Sequence, residues 1–136
     1  MKLLLDTHVL VWLVEGVESL APRHRTRLVE TAAEQALTVS AISFWEVAML
    51  ERARRLSLTC PVEAWRHDVL ATAGLAELPV GGAIAVEAVR LPGTLHADPA
   101  DRIIVATARL EAATLVTHDR RILEYAEKGH VSALAV

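Results

Sequence analysis

MKLLLDTHVLVWLV, residues Met1 to Val14, decides how this chain folds. Three consecutive leucines, Leu3 to Leu5, have the length and apolarity of a strand buried on both faces, and the apolar segment Val9 to Val14 continues as a helix. Asp6, Thr7 and His8 stand between the two. The run resembles a secretion signal only superficially, because those polar residues interrupt it after three leucines and no small-residue cleavage site follows. Asp6 therefore falls at the carboxyl end of a central strand, where it either caps the next helix or serves a site.

Working outward, short apolar runs suited to buried strands recur at Leu37 to Val39, Leu75 to Leu78, Thr114 to Thr117 and Val131 to Val136. Helical spacing fills the intervals. His8 to Glu15 and Pro22 to Gln35 form a pair between the first two strands. Ser40 or Ser43 caps a helix reaching about Arg54, and Pro61 opens another to about Ala73. A further helix covers Ala83 to Arg90 before Pro92 and Gly93. Asp98 followed by Pro99 is an N-cap with proline at the first helical position, starting a helix to about Ala112. The last helix runs from Asp119 or Arg120 to Lys128 and stops at Gly129. Strands alternating with helices predict an α/β fold with a central parallel sheet covered on both faces, one domain over residues 1–136. Catalytic groups then belong beyond the carboxyl ends of the strands, near a switch in strand order.

Composition narrows the function. Hydrophobic residues make up 53% of the 136, yet no run approaches the roughly 18–20 apolar residues of a membrane span. Cys60 is the single cysteine, which allows no internal disulfide and no zinc spacing, so a cytoplasmic location is expected. Aromatic residues are 4%, too few for base-stacking platforms. The net charge of -3 argues against a protein that binds nucleic acid by bulk charge alone.

The placement of four acids carries the chemistry. Asp6 and Asp119 each follow a strand, and each also suits an N-cap. Glu46 shares a helix face with Met49, Leu50 and Ala53, and Asp101 with Ile104, Val105 and Ala108, so the apolar stripe carries both inward. Each has a plainer reading: a Ser43–Glu46 capping box, or Asp101 complementing the helix dipole. Together, four acids at strand ends and in the early turns of helices converge on one rim of a parallel sheet. Without basic partners they would repel and raise one another's pKa, a conflict that a hard divalent cation resolves. Oxygen ligands without a His or Cys cluster favour Mg²⁺ or Mn²⁺ over zinc, and such ions suit phosphodiester hydrolysis.

The segments Leu4-Leu5-Asp6-Thr7-His8, Ser40-Ala41-Ile42-Ser43-Phe44-Trp45-Glu46-Val47, Asp98-Pro99-Ala100-Asp101-Arg102-Ile103-Ile104-Val105-Ala106-Thr107-Ala108 and Leu115-Val116-Thr117-His118-Asp119 resemble the PIN domain family. More narrowly they resemble the VapC-type toxins of toxin–antitoxin pairs. The likeness spans Lys2 to Val136, with four motifs in order. It implies a three-layer α/β/α sandwich and a Mg²⁺-dependent endoribonuclease, with Mn²⁺ as a substitute. It also implies inhibition by a cognate antitoxin whose peptide crosses the active-site groove, and homodimerisation. The family's acids map onto Asp6, Glu46, Asp101 and Asp119, with Asp6 and Asp101 foremost as metal ligands. Asp98 is placed outside the direct ligands as a cap. Thr117 and Ser43 are placed as hydrogen-bond partners of the carboxylates.

His8 and His118 are read as packing or surface residues rather than bases. Arg102 and Arg120 stand beside the acids as candidates for substrate contact, Arg102 also for orienting a carboxylate. The apolar early helices are the expected partner surface. A receiver-like or phosphatase-like domain wants a lysine on a later strand, and the two lysines here, Lys2 and Lys128, do not fit. The alternative is a noncatalytic or housekeeping PIN-fold RNA-binding module: a noncatalytic one would lose an acid, and all four are present, while an adjacent reading frame for a short DNA-binding antitoxin separates a toxin from a housekeeping nuclease. Set apart as one cluster, the four acids leave 14 basic against 13 other acidic residues. The acidity reads as a site within an arginine-rich remainder.

Overall fold

The computed structural model describes residues 1–72 and 74–136. Among these, β1 (Leu3–Leu5), β2 (Leu37–Ser40), β3 (Ala76–Leu78), β4 (Thr114–Thr117) and β5 (Ala133–Ala135) form one sheet. Its order is β3-β2-β1-β4-β5, and each neighbouring pair is parallel. The helices are α1 (Thr7–Glu15), α2 (Pro22–Ala33), α3 (Ala41–Arg52), α4 (Val62–Thr72), α5 (Gly82–Val89), α6 (Pro99–Leu110) and α7 (Arg120–Glu127). They cover both faces, giving the expected three layers. No helix among the described residues is long and apolar enough to cross a membrane.

The alternation of side chains along β1 builds the two cores. Leu3 and Leu5 enter one with Val9, Leu10, Leu28, Val39 and Trp65, whereas Leu4 enters the other with Ile104, Leu115, Ile122 and Tyr125. All three leucines are essentially inaccessible, which is why the run carries no polar position. The strand order reverses at β1, which pairs β2 on one side and β4 on the other. Leu5 is level with both Val39 and Val116, so Asp6, Ser40 and Thr117 emerge side by side at that switch point.

Several predicted boundaries move. α1 starts one residue earlier than expected, at Thr7, and β3 and β5 are shorter than their apolar runs. Ser40, not Ser43, caps α3, with its hydroxyl accepting from the Ile42 N–H. Helices expected to reach Gln35, Arg54 and Ala112 stop short, because each of those residues turns left-handed, at φ 59°, 59° and 51°. Glycine normally marks such an ending, and none is present at these three. The expected end of the fourth helix at Ala73 lies outside the described residues. Leu13, Val14, Leu28, Val29, Leu37 and Trp65 line a cavity of about 640 Å³, so the early helices do leave an apolar recess.

Ala112 is exposed and left-handed, so its Cβ adds strain without packing. Ala112→Gly is expected to raise stability by roughly 0.5–1 kcal/mol, the relief of the left-handed penalty less the backbone entropy glycine adds. Chemical denaturation checks it, and a midpoint that falls would refute the account.

Candidate functional site

Asp6 leaves β1 while still in the ladder, its N–H donating to the Val116 carbonyl at 2.9 Å. Its Oδ1 accepts from the Thr7 N–H at 2.8 Å and its Oδ2 from the Thr117 hydroxyl at 2.6 Å. Cap and site residue are therefore one role, because the cap uses one oxygen and Thr117 fixes the other. The residue is 5% exposed, unusual for an acid with no cationic partner bonded to it.

Glu46 arrives by a different logic from the one its sequence suggested. The buried residues of α3 are Ser43, Phe44 and Val47, whereas Met49 is exposed, so the stripe of Met49, Leu50 and Ala53 is not the packing face. Nor does Glu46 reach back to form a capping box. Its Oε1 accepts from the Thr7 hydroxyl at 2.5 Å, across from α3 to α1. The same hydroxyl lies 2.8 Å from Ser43 Oγ. A hydroxyl has one proton, and an ionised carboxylate can only accept, so Thr7 donates to Glu46 and Ser43 supplies the proton between the two hydroxyls. Ser43 thus reaches the carboxylate only through Thr7.

Asp101 lies in the first turn of α6, on the stripe with buried Ile104, Val105 and Ala108. Its N–H donates to Asp98 Oδ1 at 3.2 Å, the expected cap. Its Oδ2 is 2.6 Å from His96 Nε2, and both side chains are about 85% buried, at 14% and 15% exposure. Asp119 caps α7 by accepting from the N–H groups of Arg121 and Ile122, with the Arg121 guanidinium 3.4 Å away.

Glu46 and Asp119 come together around Asp101. Carboxylate or imidazole atoms of His96, Asp101 and Asp119 lie within 4.8 Å of one another, as do those of Glu46, Asp98 and Asp101. Asp6 belongs to neither group and reaches them through its charge, which raises the pKa of both Glu46 and Asp101. Asp98 is thus both a cap and a neighbour of the cluster, closer to it than a cap alone requires. Burial, followed by the charges of neighbouring acids, holds Asp6, Glu46 and Asp101 above their ordinary pKa, against the pull of their hydrogen bonds. For Asp119 burial also pushes upward, but the hydrogen bonds and charge of Arg121 and the Ile122 N–H outweigh it and the pKa falls. Among the described residues, five carboxyl groups face two imidazoles, His96 and the exposed His8, and one mostly exposed guanidinium, which leaves negative charge uncompensated. That donor set, oxygen-dominated and partly desolvated, fits a hard divalent cation.

Arg102 does not meet these acids. Its Nε donates to the Ala88 carbonyl at 2.9 Å, its Nη1 to Leu95 at 2.9 Å and its Nη2 to Val89 at 3.4 Å. The last carbonyls of α5 lack helical partners, and the guanidinium fork satisfies them. His96 takes the carboxylate contact expected of Arg102. Arg120 stays exposed at the start of α7. His8 is exposed, and His118 is fixed by the Val136 carbonyl at 2.7 Å and by the Trp12 ring, 5.3 Å between centroids. Thr7 and His96 are the residues that sequence reasoning missed. Thr7 had the signal of adjacency to Asp6, and His96 that of standing on the loop before the Asp98 cap.

The PIN domain family model matches residues 3–128. The chain is 37% identical over 124 residues to "Ribonuclease VapC22" of Mycobacterium tuberculosis, covering 88% of each. Its fold is similar to that in the crystal structure of VapBC2 from Rickettsia felis bound to a DNA fragment from their promoter, with TM-score 0.69, 17% identity and 99% and 98% of the two chains covered. It is likewise similar to DNA-bound VapBC from Salmonella typhimurium, with TM-score 0.70, 18% identity and the same coverage, 99% and 98%. With the family model spanning most of the chain and a VapC relative at this identity, the chain belongs to the PIN domain family, in its VapC branch.

Proposed function

We propose that this chain is the toxin of a toxin–antitoxin pair, an endoribonuclease that hydrolyses RNA phosphodiester bonds with Mg²⁺, or Mn²⁺ in its place, held by Asp6, Glu46, Asp101 and Asp119. The observation that carries this reading is the gathering of acids from three separate segments around Asp101, with buried Asp6 near enough for its charge to act on them and too few cations to balance the set. When bound, the cation supplies an acidified water and offsets charge on the attacked phosphate. The chain's own residues do the rest. Thr117 and the Thr7 N–H lock the Asp6 carboxylate, and the Ser43–Thr7 relay holds Glu46. α1, α3, α6 and α7 all begin at this rim, so their positive ends favour both the carboxylates and an incoming phosphate. Arg120 and Arg121, exposed beside Asp119, suit the flanking phosphates.

RNA as substrate is supported by the ribonuclease name of the 37% identical relative. An antitoxin partner is supported by the solved relatives, among them a toxin–antitoxin complex from Klebsiella pneumoniae at TM-score 0.56 and 22% identity, covering 89% of this chain and 90% of that one. Trp45 and Met49, one turn apart on α3, and Val86 and Val89 on α5 are exposed apolar pairs, which supports burial against a partner or a second copy in the cytoplasm.

Three outcomes are expected. Partner-free protein cleaves RNA with Mg²⁺ or Mn²⁺, and Asp6→Asn or Asp101→Asn abolishes cleavage while circular dichroism stays unchanged; full cleavage by both variants would sink the site assignment. Expression alone slows growth, and co-expression of the product of a small adjacent gene relieves it; harmless high-level expression counts against the toxin role. The third concerns pH. Asp6, Glu46 and Asp101 are raised from ordinary values of 3.8, 4.5 and 3.8, so their contribution to stability is full below those values and is lost as pH rises through the raised ones. Asp119 acts in the opposite sense, losing its contribution only as pH falls through its lowered value. The thermal midpoint of metal-free protein therefore falls as pH rises above the ordinary carboxylate values, and Mg²⁺ or Mn²⁺ restores it more at the higher pH, where the acids are ionised. A midpoint indifferent to both variables would contradict this balance.

A further inference from the structure

We infer that His96 and Arg102 are positioning residues that brace the Asp101 carboxylate in the orientation a divalent cation needs. The inference rests on the metal-dependent reading above and assigns to that site two residues outside its four acids.

The chemistry begins with Asp101 itself. The terminal torsion of an aspartate is broad, so a carboxylate in the first turn of a helix does not hold its plane unaided. The Asp98 cap accepts from the Asp101 backbone N–H and leaves the carboxylate alone. His96 Nε2, at 2.6 Å from Oδ2, pins one oxygen and thereby sets where the other points. Both side chains are largely removed from water, which strengthens the contact. Nε2 cannot donate to Asp101 and ligate a cation at once, so through this nitrogen the imidazole orients a ligand rather than being one. His96 Nδ1 is buried and has no hydrogen-bond partner among the described residues, so Asp101 is the polar anchor of the ring.

His96 needs support of its own, because it lies in the connection between α5 and α6, outside regular structure. Arg102 provides it. Its guanidinium grips the Leu95 carbonyl with one nitrogen and the Ala88 and Val89 carbonyls at the end of α5 with the other two. The Tyr125 hydroxyl holds the same connection at the Pro92 carbonyl. The result is a closed ring: Asp101 to Arg102 through the chain, Arg102 to Leu95 by a hydrogen bond, Leu95 to His96 through the chain, and His96 back to Asp101. A lysine at position 102 could not span three carbonyls with one ammonium.

Mn²⁺ binding, measured by calorimetry and electron paramagnetic resonance on the whole chain, tests this separately from cleavage. His96→Ala is expected to weaken Mn²⁺ about 10–100-fold, the usual cost of losing a group that orients a ligand. His96→Gln, whose amide nitrogen can take the place of Nε2, restores most of the affinity. Arg102→Lys weakens Mn²⁺ in the same direction, and the double variant Arg102→Lys with His96→Ala binds no worse than the weaker single one, because both act through one contact. Unchanged affinity in His96→Ala, no rescue by Gln, additive losses in the double variant, or a strong ¹⁴N coupling from an imidazole bound directly to Mn²⁺ would each overturn the brace. If the unaltered protein neither binds Mn²⁺ nor cleaves RNA, the metal-dependent reading itself falls, and the brace with it. Binding and cleavage by the unaltered protein together with an indifferent His96→Ala removes the brace alone.

Discussion

Mutual repulsion among carboxyl groups withdrawn from water is the constraint on which this architecture turns. Asp6, Glu46 and Asp101 are pushed toward their protonated forms by burial and by one another, so in the ionised state the rim works against the fold. Uncharged donors offset part of this: the hydroxyls of Thr7 and Thr117 and the Thr7 N–H are spent on these acids. Neutral hydrogen bonds contribute less than ion pairs would, but they leave the charge available to a cation. A rim neutralised by arginines would have no charge left to offer one.

The sheet makes the convergence possible. Because β1 lies between β2 and β4, the backbone just past β1 is flanked by the ends of both neighbours, and three chain segments distant in sequence leave the sheet at the same level. Helices α1, α3 and α7 start from those ends, and α6 enters from the neighbouring layer with its own first turn at the rim. The charged residues of the PIN fold are thus gathered where backbone N–H groups are unpaired and helix dipoles are positive. The sites of negative charge and the sites that tolerate it are the same places.

Arginines show how far adjacency in sequence misleads. Arg102 follows Asp101 directly and was expected to serve it, yet successive residues on a helix point about 100° apart. The guanidinium instead closes the end of α5, and the imidazole of His96, five residues before Asp101, makes the contact. Helix endings misled for a related reason. Gln35, Arg54 and Ala112 adopt a left-handed backbone without being glycine, so the local signal for termination was missing. Glu46 was placed inward by a stripe that is not the buried one, and its approach to the site depends on Thr7.

The order of strands and helices along the chain, the parallel sheet and the placement of acids where strands end and helices begin were determined by sequence alone, because each depends on local pattern: an apolar run buried on both faces, a polar residue where it ends, a cap before a helix. The family likeness lay in the same patterns. Tertiary structure decided everything that depends on distance between segments: the Thr7 bond to Glu46, the His96 bond to Asp101, the entry of Asp98 into the cluster and the diversion of Arg102 to α5. Local pattern fixes where a side chain leaves the backbone. What it meets is fixed by the register of β1 between its neighbours and by the loop that returns to α6.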